Sequence, residues 1–318
     1  MRDLYAKVSE RLGKVSFDRI YEGFSPFDFA LYDQDNVYLP DETIPYDRRF
    51  IGNTCIEYDG RLIAIWAVDQ PNAEDPETLA ANMVHEMFHA FQRANGESRY
   101  PSDLMLLDYP DAAENLMAKY CENQLLVSAF LSEDVAKKRE LLARFAASRR
   151  YREGLIGAYI DQEYRAETIE GMAEYAGCLA LQQLSKEKYA QKTEGLIQAL
   201  RALDGPLFDT RRIAYSTGAM LCLCLGQAGL SFQHDIGAAA LPLFRLTAIA
   251  SAAQKPVMDI DVALFSASMQ RYLADKQRRF DDFFSLPAKK TALDAHICGY
   301  DPMNMIKIGN DILCQHFI

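Results

Sequence analysis

Histidine and tryptophan are scarce in this chain: five and one, respectively, in 318 residues. Positive charge is short as well, with 34 Lys and Arg against 45 Asp and Glu, a formal net charge of −11. A chain of that sign lacks the basic face that a phosphate backbone demands, which argues against nucleic acid as a main partner. No stretch reaches the ~20 apolar residues that a membrane span needs. The longest candidate, Ala214 to Leu225, fits a buried helix better. The N-terminus, MRDLYAKVSERLGKVSF, has no apolar core of the secretory kind. Seven cysteines form no framework spacing, and together these features point to a reducing cytoplasm. Cys222 and Cys224 sit two apart, so on a helix they face opposite sides and read as core. Internal repeats and low-complexity linkers are also missing.

What is present is the composition of a folded protein, 49% hydrophobic and 25% charged. Its texture changes along the chain. Residues 1–14 have the pattern of a short amphipathic helix. FDFALYD, TCIEY and RLIAIWAVD are strand-like, and Asp59-Gly60 between the last two signals a hairpin. From Asp75 to about Leu286 the pattern is helical. Asp75-Pro76 supplies an N-cap and a first-turn proline, and Asn95-Gly96 a stop. Further helices are expected near 110–131, 133–150, 159–184, 187–203, 210–228 and 260–284. The tail MIKIGNDILCQHFI reads as strand–turn–strand about Gly309-Asn310, and whether it joins the N-terminal sheet is open at this level. The expectation is an α+β chain in three parts: a helix and small, mostly antiparallel sheet over 1–74, a large helical body over 75–286 and a strand segment over 287–318. The basic clusters Lys137-Lys138-Arg139 and Arg149-Arg150-Tyr151-Arg152 interleave with acids and read as solvated helix faces.

Two of the scarce histidines fall together in MVHEMFHAFQ. On a helix, His85 and His89 project from one face a turn apart, a spacing that lets both imidazoles reach one metal ion. Glu86 lies about 100° around the helix, badly placed as a ligand but able to reach a water on that metal. Met83, Val84, Met87, Phe88 and Phe91 surround the trio, and a buried His-Glu-His group without a partner would be costly. A zinc site needs at least a third ligand. DQEYRAETIEGMAEYAG offers Glu163, Glu167, Glu170 and Glu174, a stripe on one face of a regular α-helix whose mutual repulsion favours cations. Gly171 and Ala173 beside Glu170 are small enough for close approach to another helix. Glu174, one turn on, could then accept a ring N–H from a liganding histidine.

HEMFH followed by EGMAEY resembles the gluzincin metallopeptidases, the thermolysin-like and aminopeptidase-N-like enzymes, and so implies a zincin-like fold. The resemblance makes His85, His89 and Glu170 zinc ligands, Glu86 the general base and Glu174 a supporting acid. AYSTGAMLCL is similar to the Y-x-K-G-A-x-x-L helix of the aminopeptidase-N-like branch, which gives Tyr215 the role of stabilising the tetrahedral intermediate, with Thr217 in place of lysine. Eighty residues separate His89 from Glu170, so a helical hairpin at about 97–158 is inserted. Ile169 stands where the family has asparagine, and no G-x-M-E-N stretch precedes the zinc helix. The implied function is zinc-dependent hydrolysis of peptide or protein substrates by an activated water. His234 could donate to the same oxyanion, and RLIAIWAVD, which carries Trp66, could receive an extended peptide as an added strand. The alternative is a catalytically inactive zincin-like binding or scaffold protein, for which an intact Glu86 has no purpose. Glu86-x-x-His89 also fits half of a di-iron bundle. Those need a second E-x-x-H, and His234, His296 and His316 follow Ser231, Leu293 and Leu313 at that spacing.

Overall fold

The computed structural model describes residues 1–68, 75–233, 235–249, 251–286 and 300–314. The elements in chain order are α1 (Arg2–Leu12), β1 (Asp28–Tyr32), β2 (Asn36–Tyr38), β3 (Thr43–Pro45), β4 (Thr54–Tyr58), β5 (Arg61–Ala67) and α2 (Pro76–Ala94). There follow α3 (Asp103–Leu107), α4 (Ala113–Leu131), α5 (Val135–Ile156), α6 (Tyr159–Ala166), a π-helical turn (Glu167–Gly171) and α7 (Met172–Leu184). The remainder is α8 (Lys186–Arg201), α9 (Gly205–Phe208), α10 (Thr210–Gln227), α11 (Leu243–Leu246), α12 (Val262–Ser285), β6 (Met305–Ile308) and β7 (Asp311–Cys314). The class is α+β. No helix among the described residues is long and apolar enough to cross a membrane. The chain groups into two compact units that do not follow its linear division. One comprises Met1–Tyr100, Tyr164–Gln198 and Tyr215–Ala248; the other comprises Pro101–Glu163, Ala199–Ala214 and Ile249–Ile318.

The first unit holds a five-stranded sheet in the order β3-β2-β1-β5-β4. Its pairings are antiparallel except β1 with β5. The β4–β5 hairpin turns on Asp59 and Gly60, both at positive φ (49° and 75°), the conformation that an Asp-Gly turn adopts between right-twisted strands. β2 and β3 are three residues each, too short to carry an alternating pattern. β5 is hydrogen-bonded on both sides, so it cannot receive an added peptide strand; the edge strands are β3 and β4, and Trp66 on β5 is half-buried. Period-two alternation sends Tyr32, Ile63 and Ile65 to a core face shared with Val37 and Phe50. The opposite face takes α1 and α2: Tyr5 of α1 stacks on Phe29 with centroids 4.4 Å apart. Phe88 and Phe91 of α2 interlock with Tyr21 and Phe24, anchoring that helix through large aromatic burial.

In the second unit α4 and α5 form an antiparallel hairpin. Its basic runs are solvated only in part: Lys137 and Arg139 are exposed, whereas Lys138, Arg149 and Arg152 are buried. Lys138 Nζ donates to the carbonyls of Ala129 and Phe130, neutralising the C-terminal end of α4. Arg152 donates to Asn115 Oδ1 (2.9 Å), Glu122 Oε1 (2.6 Å), Glu163 Oε2 (2.7 Å) and the Tyr109 hydroxyl. Lys119 pairs with the other oxygen of Glu163 at 2.5 Å. A charge run signals exposure only when water solvates it; here Arg152 finds its carboxylates, Glu122 and Glu163, on other helices. β6 and β7 form their own two-stranded sheet about Gly309. A cavity of about 110 Å³ in this unit is lined by Asp103, Tyr109, Arg211, Tyr272, Lys276 and Lys307 among others, and by no residue of the histidine pair's surroundings.

Candidate metal centre

The scaffold is set by α2 and by close helix approaches. Asp75 caps α2 by accepting from the backbone N–H groups of Glu77 and Thr78, and Gly96 at φ 77° ends it. His85 and His89 therefore stand on one face, as their spacing requires. α7 reaches α2 at Gly177, where a Cβ would lie 3.1 Å from the Ala81 carbonyl oxygen. The turn carrying Glu170 meets α10 at two facing glycines. A Cβ on Gly171 would lie 2.4 Å from Gly218 Cα, and one on Gly218 2.5 Å from the Glu167 carbonyl oxygen. Both positions exclude any side chain. The same contact carries Tyr215, one turn before Gly218, over His85: the rings are parallel within 10° at 5.9 Å.

Residues 159–184 are thus not one regular helix. The π turn inserts the equivalent of one residue and rotates α6 by about 100° relative to α7. Glu163 and Glu170 would share a side of an α-helix; instead Glu163 joins the buried Arg152 and Lys119 pairs of the second unit, while Glu170 and Glu174 meet the histidines. The expectation of a single four-glutamate face is corrected accordingly. Glu167 is buried, and Glu163 is fully so.

One nitrogen of His85, one of His89 and one oxygen of Glu170 all lie within 4.8 Å of one another. The two Nε2 atoms are 3.2 Å apart, and Glu170 Oε2 is 3.3 Å from that of His89 and 4.0 Å from that of His85. Ligand atoms at tetrahedral zinc distances stand roughly 3.3 Å apart, so the donor set fits the size of such an ion. The outer nitrogens are held from behind: His85 Nδ1 faces Glu174 Oε2 at 3.2 Å, and His89 Nδ1 faces Gln92 Oε1 at 2.9 Å. Each of those oxygens is an acceptor, so a proton on each Nδ1 suits them and turns Nε2 inward. Two inward ring nitrogens and a carboxylate oxygen at this range can share one positive charge, a proton or a metal ion. Lys192 Nζ donates to the second Glu174 oxygen at 2.5 Å.

A proton on His89 can supply that shared positive charge. Burial works against a charged His89, but its hydrogen bond to Glu170 and the negative charge there outweigh that and hold the pKa at about 9. Burial would raise Glu174, yet its bonds with His85 and Lys192 bring it to about 2. Glu86 is raised by burial, with His85 and His89 opposing. A carboxyl lifted in this way is suited to exchanging a proton.

Gln92, Lys192 and the π turn do not emerge from the sequence reading. Gln92 follows His89 by three positions and shares its helix face, a signal that the sequence does carry; nothing in it marks the other two. His234, His296 and His316 lie outside the described residues. Comparison of the chain with known protein families, curated proteins and solved structures gives no significant match.

Proposed function

We propose that this chain is a zinc-dependent metallopeptidase of the gluzincin kind, with a zincin-like arrangement of sheet and helices, acting on peptide or protein substrates in the cytoplasm. The observation that carries this reading is the convergence of two Nε2 lone pairs and the Glu170 carboxylate from separate helices, with Glu86 next to His85. His85, His89 and Glu170 would hold the ion, whose chemistry when bound is Lewis acidity towards a carbonyl and towards water. The chain's own residues supply the rest. Glu86, buried and raised in pKa, takes a proton from the attacking water and returns it to the leaving amine. Tyr215, held against His85, is the candidate donor to the oxyanion, a contribution of roughly 3 kcal/mol if aligned. Glu174 and Gln92 fix the imidazoles. Zinc rather than a harder cation is favoured by the two nitrogen donors.

The test is hydrolysis of a fluorogenic peptide set and of casein by the zinc-loaded protein and by Glu86→Gln. The expected result is zinc retained in both and a rate about 10²- to 10⁴-fold lower in the variant. Zinc bound without cleavage by the native chain would overturn the peptidase reading in favour of a non-catalytic zincin-like binding protein.

A further inference from the structure

We infer that Gln92 is a positioning residue which sets His89 as a ligand and links it mechanically to the turn that carries Glu170. The inference rests on reading the cluster as a divalent-metal centre. Gln92 is fully buried on α2, one turn beyond His89. Its amide has a single sensible orientation. The nitrogen donates to the Ile169 carbonyl oxygen at 3.2 Å, so the oxygen is left to face His89 Nδ1 at 2.9 Å. The flipped amide would set its oxygen against the Ile169 carbonyl oxygen, acceptor against acceptor. The imidazole is therefore held in the tautomer that points Nε2 inward.

The second bond gives the residue a further role. Ile169 precedes Glu170 inside the π turn. One side chain thus fixes the ring of one ligand and the backbone beside another, although the two ligands belong to different helices. Displacing the turn would drag the amide, and with it the His89 ring. His85 is backed differently, by a Glu174 carboxylate that Lys192 holds. The two imidazoles are consequently unequal: one is polarised by an anion, the other oriented by a neutral group locked to the backbone.

Zinc affinity of the full chain, measured against a competing chelator, tests this with two variants. Gln92→Leu removes both bonds, and zinc affinity should fall by about 10- to 100-fold, while Gln92→Glu keeps an acceptor for His89 but loses the donor to the Ile169 carbonyl and should fall less, by about 3- to 10-fold. Nitrogen–proton correlation spectra of the zinc-loaded native protein should show a protonated Nδ1 on His89. Native-like affinity in Gln92→Leu, an equal loss in both variants, or a His89 protonated on Nε2 would each overturn the inference. If Gln92→Leu does not fold, the Gln92→Glu affinity and the native spectrum decide. Failure of the native chain itself to bind zinc would remove the metal centre, and is distinguishable because it needs no variant.

Discussion

The two units each bury a dense group of ionisable side chains, and the groups are of opposite kinds. In the second unit Lys119, Arg149 and Arg152 are fully buried against Glu122 and Glu163, with Tyr109 and Asn115 filling bonds between them. Cations and anions there interdigitate, with Glu122 Oε2 left without a hydrogen-bond partner. In the first unit His85, His89, Glu170 and Glu174 present ring nitrogens and carboxylate oxygens towards one another, and Glu86 is buried on the same helix as the histidines. Buried charge alone does not mark a site; many such networks serve structure. Convergence of donors of one type, each oriented from behind, is what distinguishes the first group. Four predictions set the two against each other.

The largest effect belongs to the ligand set. Glu170→Ala should weaken zinc binding by at least ~10³-fold, beyond the 10- to 100-fold typical of outer groups, whereas Glu167→Ala should leave zinc in place. Metal analysis after dialysis reads both. Loss of zinc from Glu167→Ala alone would move the assignment by one turn and make the two clusters harder to tell apart.

The second prediction breaks the self-contained group. Arg152→Ala leaves Glu122 and Glu163 short of a buried partner and should cost about 3–5 kcal/mol in denaturant unfolding. A loss under ~1 kcal/mol would mean that water enters the network and that its charges are screened as at a surface.

Third comes the outer support of His85. Glu174→Gln keeps the size but weakens the acceptor for Nδ1–H, and zinc affinity should fall about 10- to 100-fold. An unchanged dissociation constant would show that the Glu174–Lys192 pair serves packing alone, and would make this group resemble its counterpart in the second unit.

These cases also show where the sequence can be read and where it cannot. His85, Glu86 and His89 are legible because their relation is local, fixed by four residues of one capped helix. Glu170 is reached through a stripe of four glutamates that assumes a regular α-helix, whereas the π turn splits that stripe. A π turn has no composition of its own; it forms where tertiary contacts, here Gly171 on Gly218, outweigh the regular hydrogen-bond ladder. Arg152 misleads for a related reason. Its partners lie 11 to 43 positions away, and no periodicity along α5 encodes them. The sheet obeys the same rule: β4 and β5 announce themselves through a local Asp-Gly turn, but which strand lies at the edge depends on the non-local pairing of β1 with β5.

The smallest effect separates the groups by acid. Burial alone would raise Glu163, but Arg152 and Lys119 hold its carboxyl well below the usual range. Glu122 moves the other way: burial raises it, and its Oε2 has no hydrogen-bond partner. A depressed carboxylate adds stability that is fully present above its unfolded pKa, near 4.3, and lost as pH falls towards its folded value. Between pH 7 and 5 Glu163 therefore contributes no slope. Below about pH 4.5 it should add up to about 1.4 kcal/mol per pH unit to the loss of stability. Unfolding free energies of the zinc-free native chain and of Glu163→Gln, compared from pH 7 to 3, isolate this contribution: the variant starts lower and falls less steeply in acid. Parallel curves below pH 4.5 would mean that Glu163 is not held ionised by its neighbours, and the distinction between a completed charge network and an open one would lose its electrostatic basis.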